Sequence, residues 1–167
     1  MATTCLVVMG VAGSGKSTVA RLLADRLDRP MAEADEFHPE ANIVKMRSGT
    51  PLTDVDREPW LQALRDWISE HDAAGQGTVV TCSALKRSYR DLLRGASASV
   101  RFVHLNGTRE VIGERMAARS GHFMPPSLLD SQFAALEPLG DDEDGITVDV
   151  AASPEQIADR VCADLDR

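Results

Sequence analysis

Apolar positions along the chain gather into five short runs: Cys5–Met9, Met31–Ala34, Thr78–Cys82, Val100–Leu105 and Ile146–Val150. Three of them are continuously apolar or nearly so, as expected of parallel strands buried on both faces. Between the runs the spacing turns helical. Thr18–Leu27 forms one such stretch. Trp60, Leu61, Leu64, Trp67 and Ile68 mark another, with the two tryptophans two turns apart on one face and best read as core packing. Pro59, with Asp54, Asp56 and Glu58 around it, predicts a helix N-terminus there. Ser153-Pro154-Glu155-Gln156 reads as an N-cap, a first-turn proline and a capping box opening a last helix. Strand and helix alternate throughout. This predicts an α/β fold, a three-layer sandwich around a central parallel sheet, in one domain of 167 residues.

The formal net charge of −8 argues against nucleic acid or an anionic membrane surface as the main partner. An anionic substrate would need a local basic pocket. No apolar stretch reaches membrane-spanning length, and Met1-Ala2-Thr3-Thr4 lacks the basic segment of a signal peptide. The three cysteines are far apart and lack zinc spacing, which suggests reduced thiols in a cytoplasm. Cys5 and Cys82 read as small buried hydrophobes. The acidic segment Gly140–Gly145 reads as a solvated turn, because it lacks the spaced ligands of a calcium loop.

The first apolar run leads into Gly10-Val11-Ala12-Gly13-Ser14-Gly15-Lys16-Ser17, followed by Thr18 and the first helical stretch. Strand, glycine-rich loop and helix stand in the order a phosphate cradle requires. Glycines let backbone N–H groups converge on an anion, and the helix N-terminus adds partial positive charge. Residues Gly10 to Thr18 are therefore the candidate ATP site. Lys16 reaches the β and γ phosphates, and the Ser17 hydroxyl ligates Mg²⁺. The second run ends at Glu33-Ala34-Asp35, where an extended segment would put both carboxylates on one face. One can hold Mg²⁺ through water and the other can take the proton of an attacking hydroxyl.

The third run carries no aspartate at its end and continues into Leu85-Lys86-Arg87-Ser88-Tyr89-Arg90. Helical spacing would put Lys86 and Arg90 on one face, with Arg87 pointing elsewhere. Arg115 and Arg119, four apart, precede the Gly/Pro-marked segment Ser120–Pro126. Two arginines before such a segment suit a lid that clamps transferring phosphate.

The motifs Asp35-Glu36-Phe37-His38-Pro39, Asn42–Met46 with Gly49–Leu61, Cys82–Asp91 and Gly121-His122-Phe123, together with the phosphate loop, resemble those of the gluconate kinases, in order along nearly the whole chain. The resemblance implies a P-loop fold of the nucleoside-monophosphate-kinase and shikimate-kinase type. It implies phosphorylation of D-gluconate at its 6-hydroxyl by ATP and Mg²⁺, and it suggests a homodimer. Related kinases carry D-x-D where Glu33-Ala34-Asp35 stands. This assigns Mg²⁺ to Ser17 and Glu33, and catalysis to Lys16, Asp35 and Arg119. Arg115 then sits near adenine and Arg119 on phosphate. A helical segment of about 37–72 binds the acceptor, and a lid spans about 115–136. Arg57 and Lys86 are the first candidates for the acceptor carboxylate, with Arg90 and His38 behind them. A rival kinase of this fold would act on shikimate or a nucleoside monophosphate. The adenylate-kinase pattern T-G-D-x-x-R is absent. A GTP-dependent switch is disfavoured by the absence of N-K-x-D, and Asp72–Gly75 and Asp142–Gly145 precede predicted strands instead of following them.

Overall fold

The computed structural model describes residues 3–118 and 126–165, with side chains described for 3–115 and 129–165. Five strands form one sheet in the order β2-β3-β1-β4-β5, every pair parallel. They are β1 (Thr4–Met9), β2 (Met31–Glu33), β3 (Thr78–Thr81), β4 (Ser99–Asn106) and β5 (Gly145–Asp149). Each apolar run of the sequence is one of these strands. Alternate residues of β1 feed opposite faces. Cys5, Val7 and Met9 pack with Val80, Phe102 and the side chains of α3 (Asp54–Ala73) and α4 (Arg87–Arg94). Leu6 and Val8 pack with Val79, Val103, Val148 and the side chains of α1 (Lys16–Leu27) and α7 (Pro154–Leu165). Helices on both faces leave the middle strands no solvated side, which explains their unbroken apolar character. Burial pushes the Cys5 and Cys82 thiols up to about 12, so both behave as core hydrophobes. Among the described residues no helix is long and apolar enough to cross a membrane.

The last helix begins as its sequence predicts. Gln156 N–H donates to Ser153 Oγ at 3.1 Å, and Ser153 N–H donates to Gln156 Oε1 at 2.9 Å. The helix of the tryptophan stripe begins earlier than Pro59 suggests. Thr53 caps it, accepting from Asp56 N–H at 3.1 Å, while Asp56 Oδ2 accepts from Thr53 N–H at 2.9 Å. Pro59 lies inside the second turn, where it removes the donor that the Val55 carbonyl would otherwise receive. Val55 is 77% exposed, so water is within reach of that turn. Lys45 of α2 (Glu40–Arg47) pairs with Asp56 at 2.8 Å and is the main reason that carboxyl is held down at about 2.

Two further expectations change. β2 stops at Glu33, and residues Ala34–Phe37 form a 3₁₀ turn. Glu33 and Asp35 therefore do not share the face of an extended segment. The turn is clamped from α3, where Trp60 Nε1–H donates to the Ala34 carbonyl at 2.6 Å and Phe37 meets Trp67 edge-on. The acidic segment 140–145 is a solvated turn only in part, with Asp141, Asp142 and Asp144 exposed. Glu143 turns inward with its side chain fully buried, 3.1 Å from Arg90 Nη2 and 2.9 Å from Arg94 Nη2, while Asp142 pairs with Arg87.

Arg90 is itself fully buried. Its Nη1 donates to the Ala84 carbonyl at 2.9 Å and the Leu85 carbonyl at 3.3 Å, and Nη2 donates to Pro138 at 3.4 Å. Ala84 has a φ of 45°, a left-handed conformation unfavourable for an L-residue. The Arg90 bond holds it there. Removing one member of a buried pair strands the other charge, a loss of about 3–5 kcal/mol. Glu143→Gln is therefore expected to lower stability strongly in urea unfolding. A double variant, Arg90→Met with Glu143→Leu, should lose less than the single change, because the Arg90 charge leaves with its partner and Arg94 keeps its pairing with Asp91.

Candidate active site

The phosphate loop runs from the end of β1 into α1 along the carboxyl edge of the sheet. Gly10 has a φ of 150°, and a Cβ there would lie 2.8 Å from Ser14 Oγ and 2.9 Å from the Leu105 carbonyl. Gly15, at φ 95°, directs the chain into α1 without a side chain. Both positions need glycine for the loop to close on itself. Lys16 Nζ donates to the Gly10 and Val11 carbonyls at 3.1 Å each, so the ammonium is folded over its own loop. Ser17 and Thr18 lie in the first turn of α1.

The ends of β2 and β3 stand beside this loop. Glu33 Oε2 accepts from Thr81 Oγ1 at 2.6 Å, and Asp35 is exposed on the 3₁₀ turn. The Cys82 thiol feels both the Lys16 ammonium and the Asp35 carboxylate, so both charged groups lie within electrostatic reach of the end of β3. Among the described residues no three His, Cys, Asp or Glu side chains converge as a metal cage.

A second cluster lies where α3 meets α4. Arg57 Nη1 donates to Tyr89 Oη at 3.1 Å and to the Leu52 carbonyl at 3.0 Å, its guanidinium 5.5 Å from the centre of the Tyr89 ring. Lys86 Nζ lies 5.7 Å from the same ring. Tyr89 Oη donates to Asp54 Oδ1 at 2.5 Å, and Lys86 reaches that oxygen at 3.3 Å. The Asp54 carboxyl is held below its usual range, first by Tyr89 and then by Lys86. His38 stacks on Trp60 with ring centroids 4.3 Å apart and an interplanar angle of 16°. It lies within electrostatic reach of both Asp35 and Arg57, and so connects the two clusters.

Arg57, Lys86 and His38 thus come together, with Asp35 on the side toward the phosphate loop. Arg90 does not join them. Its guanidinium is enclosed by Glu143 and three backbone carbonyls, so the expectation that it binds substrate is corrected to a structural role. The shared helix face also fails, because Lys86 has extended backbone at the N-cap of α4 and precedes the helix. Arg87 points away toward Asp142, as expected. Arg115, on α5 (Arg109–Ala118), is exposed and donates to the Val150 carbonyl just after β5. Arg119 and Gly121-His122-Phe123 lie outside the described residues. Beyond them, α6 (Pro126–Ala135) packs onto the phosphate loop. Leu129 joins Val11, Leu85 and Ile112 in one buried cluster, and Gln132 Oε1 accepts from Ala12 N–H at 2.7 Å.

The sequence reading missed Tyr89, Asp54 and Gln132. Tyr89 had a usable signal, being the sole tyrosine of the chain and three residues beyond Lys86. Asp54 was read only as a helix-start acid, and Gln132 carries no local mark.

A glycine-rich anion loop, a carboxylate at the next strand end and a separate cationic cluster on one sheet edge define a P-loop phosphotransferase. The AAA domain family matches residues 6–139. A gluconokinase of Gluconobacter oxydans (strain 621H) is 51% identical over 93% of this chain and 88% of its own length. The crystal structure of a sugar kinase from Janibacter sp. HTCC2649 superposes with a TM-score of 0.93 at 53% identity, covering 98% of this chain and 95% of that one. That of a gluconokinase from Sinorhizobium meliloti 1021 gives 0.87 at 47% identity, covering 98% and 92%. The chain belongs to the gluconokinase family, with the P-loop fold it shares with shikimate kinase.

Burial first, and Arg57 with it, lower the His38 pKa below the ordinary 6.5, against an opposing pull from Asp35. The unfolded chain therefore binds this proton more readily than the folded one, and stability falls as pH drops through that window. Thermal melts taken between about pH 7.5 and about pH 5.5 should show a smaller loss for His38→Gln than for wild type.

Proposed function

We propose that this chain transfers the γ-phosphate of ATP to the 6-hydroxyl of D-gluconate, giving 6-phospho-D-gluconate and ADP. The observation that carries the reading is the convergence of Arg57 and Lys86 on Tyr89, on the same sheet edge as the phosphate loop. The protein is acidic overall, so an anionic acceptor must be drawn in by such a local cationic cluster. A guanidinium can grip a carboxylate through two parallel hydrogen bonds, which fixes orientation as well as affinity. With the carboxylate held at Arg57 and Lys86, the chain of hydroxyls runs past His38 toward Asp35.

In this reading Asp35 accepts the proton of the attacking 6-hydroxyl. Residues Gly10 to Thr18 hold the ATP phosphates, and Lys16 leaves the Gly10 and Val11 carbonyls to neutralise charge on the phosphate being transferred. Mg²⁺ would be held by Ser17 and, through water, by Glu33, whose carboxylate Thr81 already orients; it would neutralise the β and γ oxygens. Arg115 serves the adenine side and Arg119 the phosphate. The acceptor segment is about 37–72 and the lid about 115–136, of which α6 is already seated on the phosphate loop. The proposal includes a homodimer, from the family resemblance, working in a cytoplasm, in keeping with three free cysteines.

Two measurements test it. Asp35→Asn keeps the side-chain shape but cannot take a proton, so kcat should fall by about 10²–10⁴-fold with little change in ATP affinity. Near-wild-type kcat would remove Asp35 as the base. Wild type should use gluconate far better than glucose, which has no carboxylate and would leave the cations unpaired. Arg57→Ala should raise the gluconate KM. Equal use of the two sugars by wild type, or an unaltered KM in the variant, would overturn the assignment.

A further inference from the structure

Among the described residues Asp54 is the carboxylate bonded to both Lys86 and Tyr89, and its position is not explained by the helix it begins. The cap of α3 is complete without it, since Thr53 and Asp56 exchange both capping bonds. Its carboxylate turns instead across to α4, where Tyr89 Oη and Lys86 Nζ both meet Oδ1. Arg57 contacts the same Tyr89 hydroxyl. Among the described residues Arg57 uses only Nη1 in hydrogen bonds, which leaves the Nε–Nη2 side of the fork for an incoming carboxylate. Asp54 therefore occupies one of the two cations assigned to the acceptor carboxylate, Lys86, and meets the other, Arg57, through the shared Tyr89 hydroxyl.

Resting on that carboxylate subsite, we propose that Asp54 is an internal competitor, whose carboxylate exchanges with that of the acceptor at Lys86 and Tyr89. Three features suit an exchange. The Asp54 side chain is 63% exposed, so water receives it when it swings out. Two carboxylates on one cation cluster repel, so the acceptor's arrival itself drives the departure. An exposed pair of this kind is weak, so displacement costs little. The consequence falls on anions. A neutral polyol offers no anion in return for Asp54, so it does not displace it, and its binding is indifferent to the Asp54 charge. An acid replaces charge with charge and must first drive Asp54 out. Asp54 thus lowers the affinity for carboxylates in particular and keeps Lys86 compensated while the subsite is empty.

Asp54→Asn tests this cleanly. Asparagine keeps an oxygen acceptor for Tyr89 and Lys86 and removes only the charge. The gluconate KM should fall by about two- to fivefold, the range of an exposed ion pair, with kcat moving less than KM. Acetate, as a competitor of gluconate, should inhibit more tightly by a similar factor. Sorbitol, a neutral hexitol, should inhibit as it does wild type. A gluconate KM that is unchanged or raised, while Arg57→Ala still raises it, overturns the exchange and leaves the carboxylate subsite standing. Equal tightening for sorbitol and acetate also overturns it, since that reports a general loosening of the pocket. If Arg57→Ala leaves the gluconate KM untouched, the subsite falls and the exchange falls with it.

Discussion

The ion pair of Arg90 and Glu143 sets the geometry on which the cationic cluster depends. Neither group meets solvent, so each is tied to the other and to backbone carbonyls by desolvation as much as by attraction. Such a pair adds little net stability against an apolar replacement, but it is demanding in placement. Arg90 reaches back to Ala84 and Leu85, where the chain leaves β3 through a left-handed residue and turns into α4. That turn decides where Lys86 and Tyr89 stand. Glu143 comes from the loop before β5 and also takes Gly140 N–H at 3.0 Å. A distant acidic segment thereby secures the start of α4.

The facing wall is built differently. α3 carries Asp54 and Arg57 in its first turns, and its buried stripe Trp60, Leu61, Leu64 and Ile68 anchors it to the sheet. The same helix holds the 3₁₀ turn through the Trp60 bond to Ala34 and the stack on His38. One helix therefore positions Arg57 and the segment bearing Asp35, the two ends of the proposed acceptor site. Rigid burial lies behind these groups, while Asp54 and Asp35 are exposed and Lys86 is half-buried. That division suits a pocket that must admit and release a hydrated anion.

Charge follows the same logic. A net −8 would repel ATP and a sugar acid at long range. Lys16, Arg57 and Lys86 oppose it locally, and the glycine loop adds backbone N–H groups with no counterion of their own.

What the sequence determined alone was whatever depends on neighbours a few residues away. The strands followed from unbroken apolar runs. The phosphate loop followed from glycine spacing, and the α7 cap from Ser153 and Gln156. The anchoring role of the tryptophan stripe followed from helical period. Lys86 followed from its place just past the third apolar run, and the gluconokinase resemblance added Arg57, because its motifs are also local strings. Tertiary structure decided what depends on distant partners. Pro59 did not open its helix, since Thr53 and Asp56 cap it earlier. Asp35 left the strand, since Trp60 holds Ala34 in a turn. Arg90 and Lys86 are four residues apart, yet one is buried against Glu143 and the other meets Asp54, 32 residues away in the chain. Local propensity is short-ranged, whereas burial and charge pairing act between segments brought together only by the sheet. A charged side chain's role is therefore set by the partner it finds there.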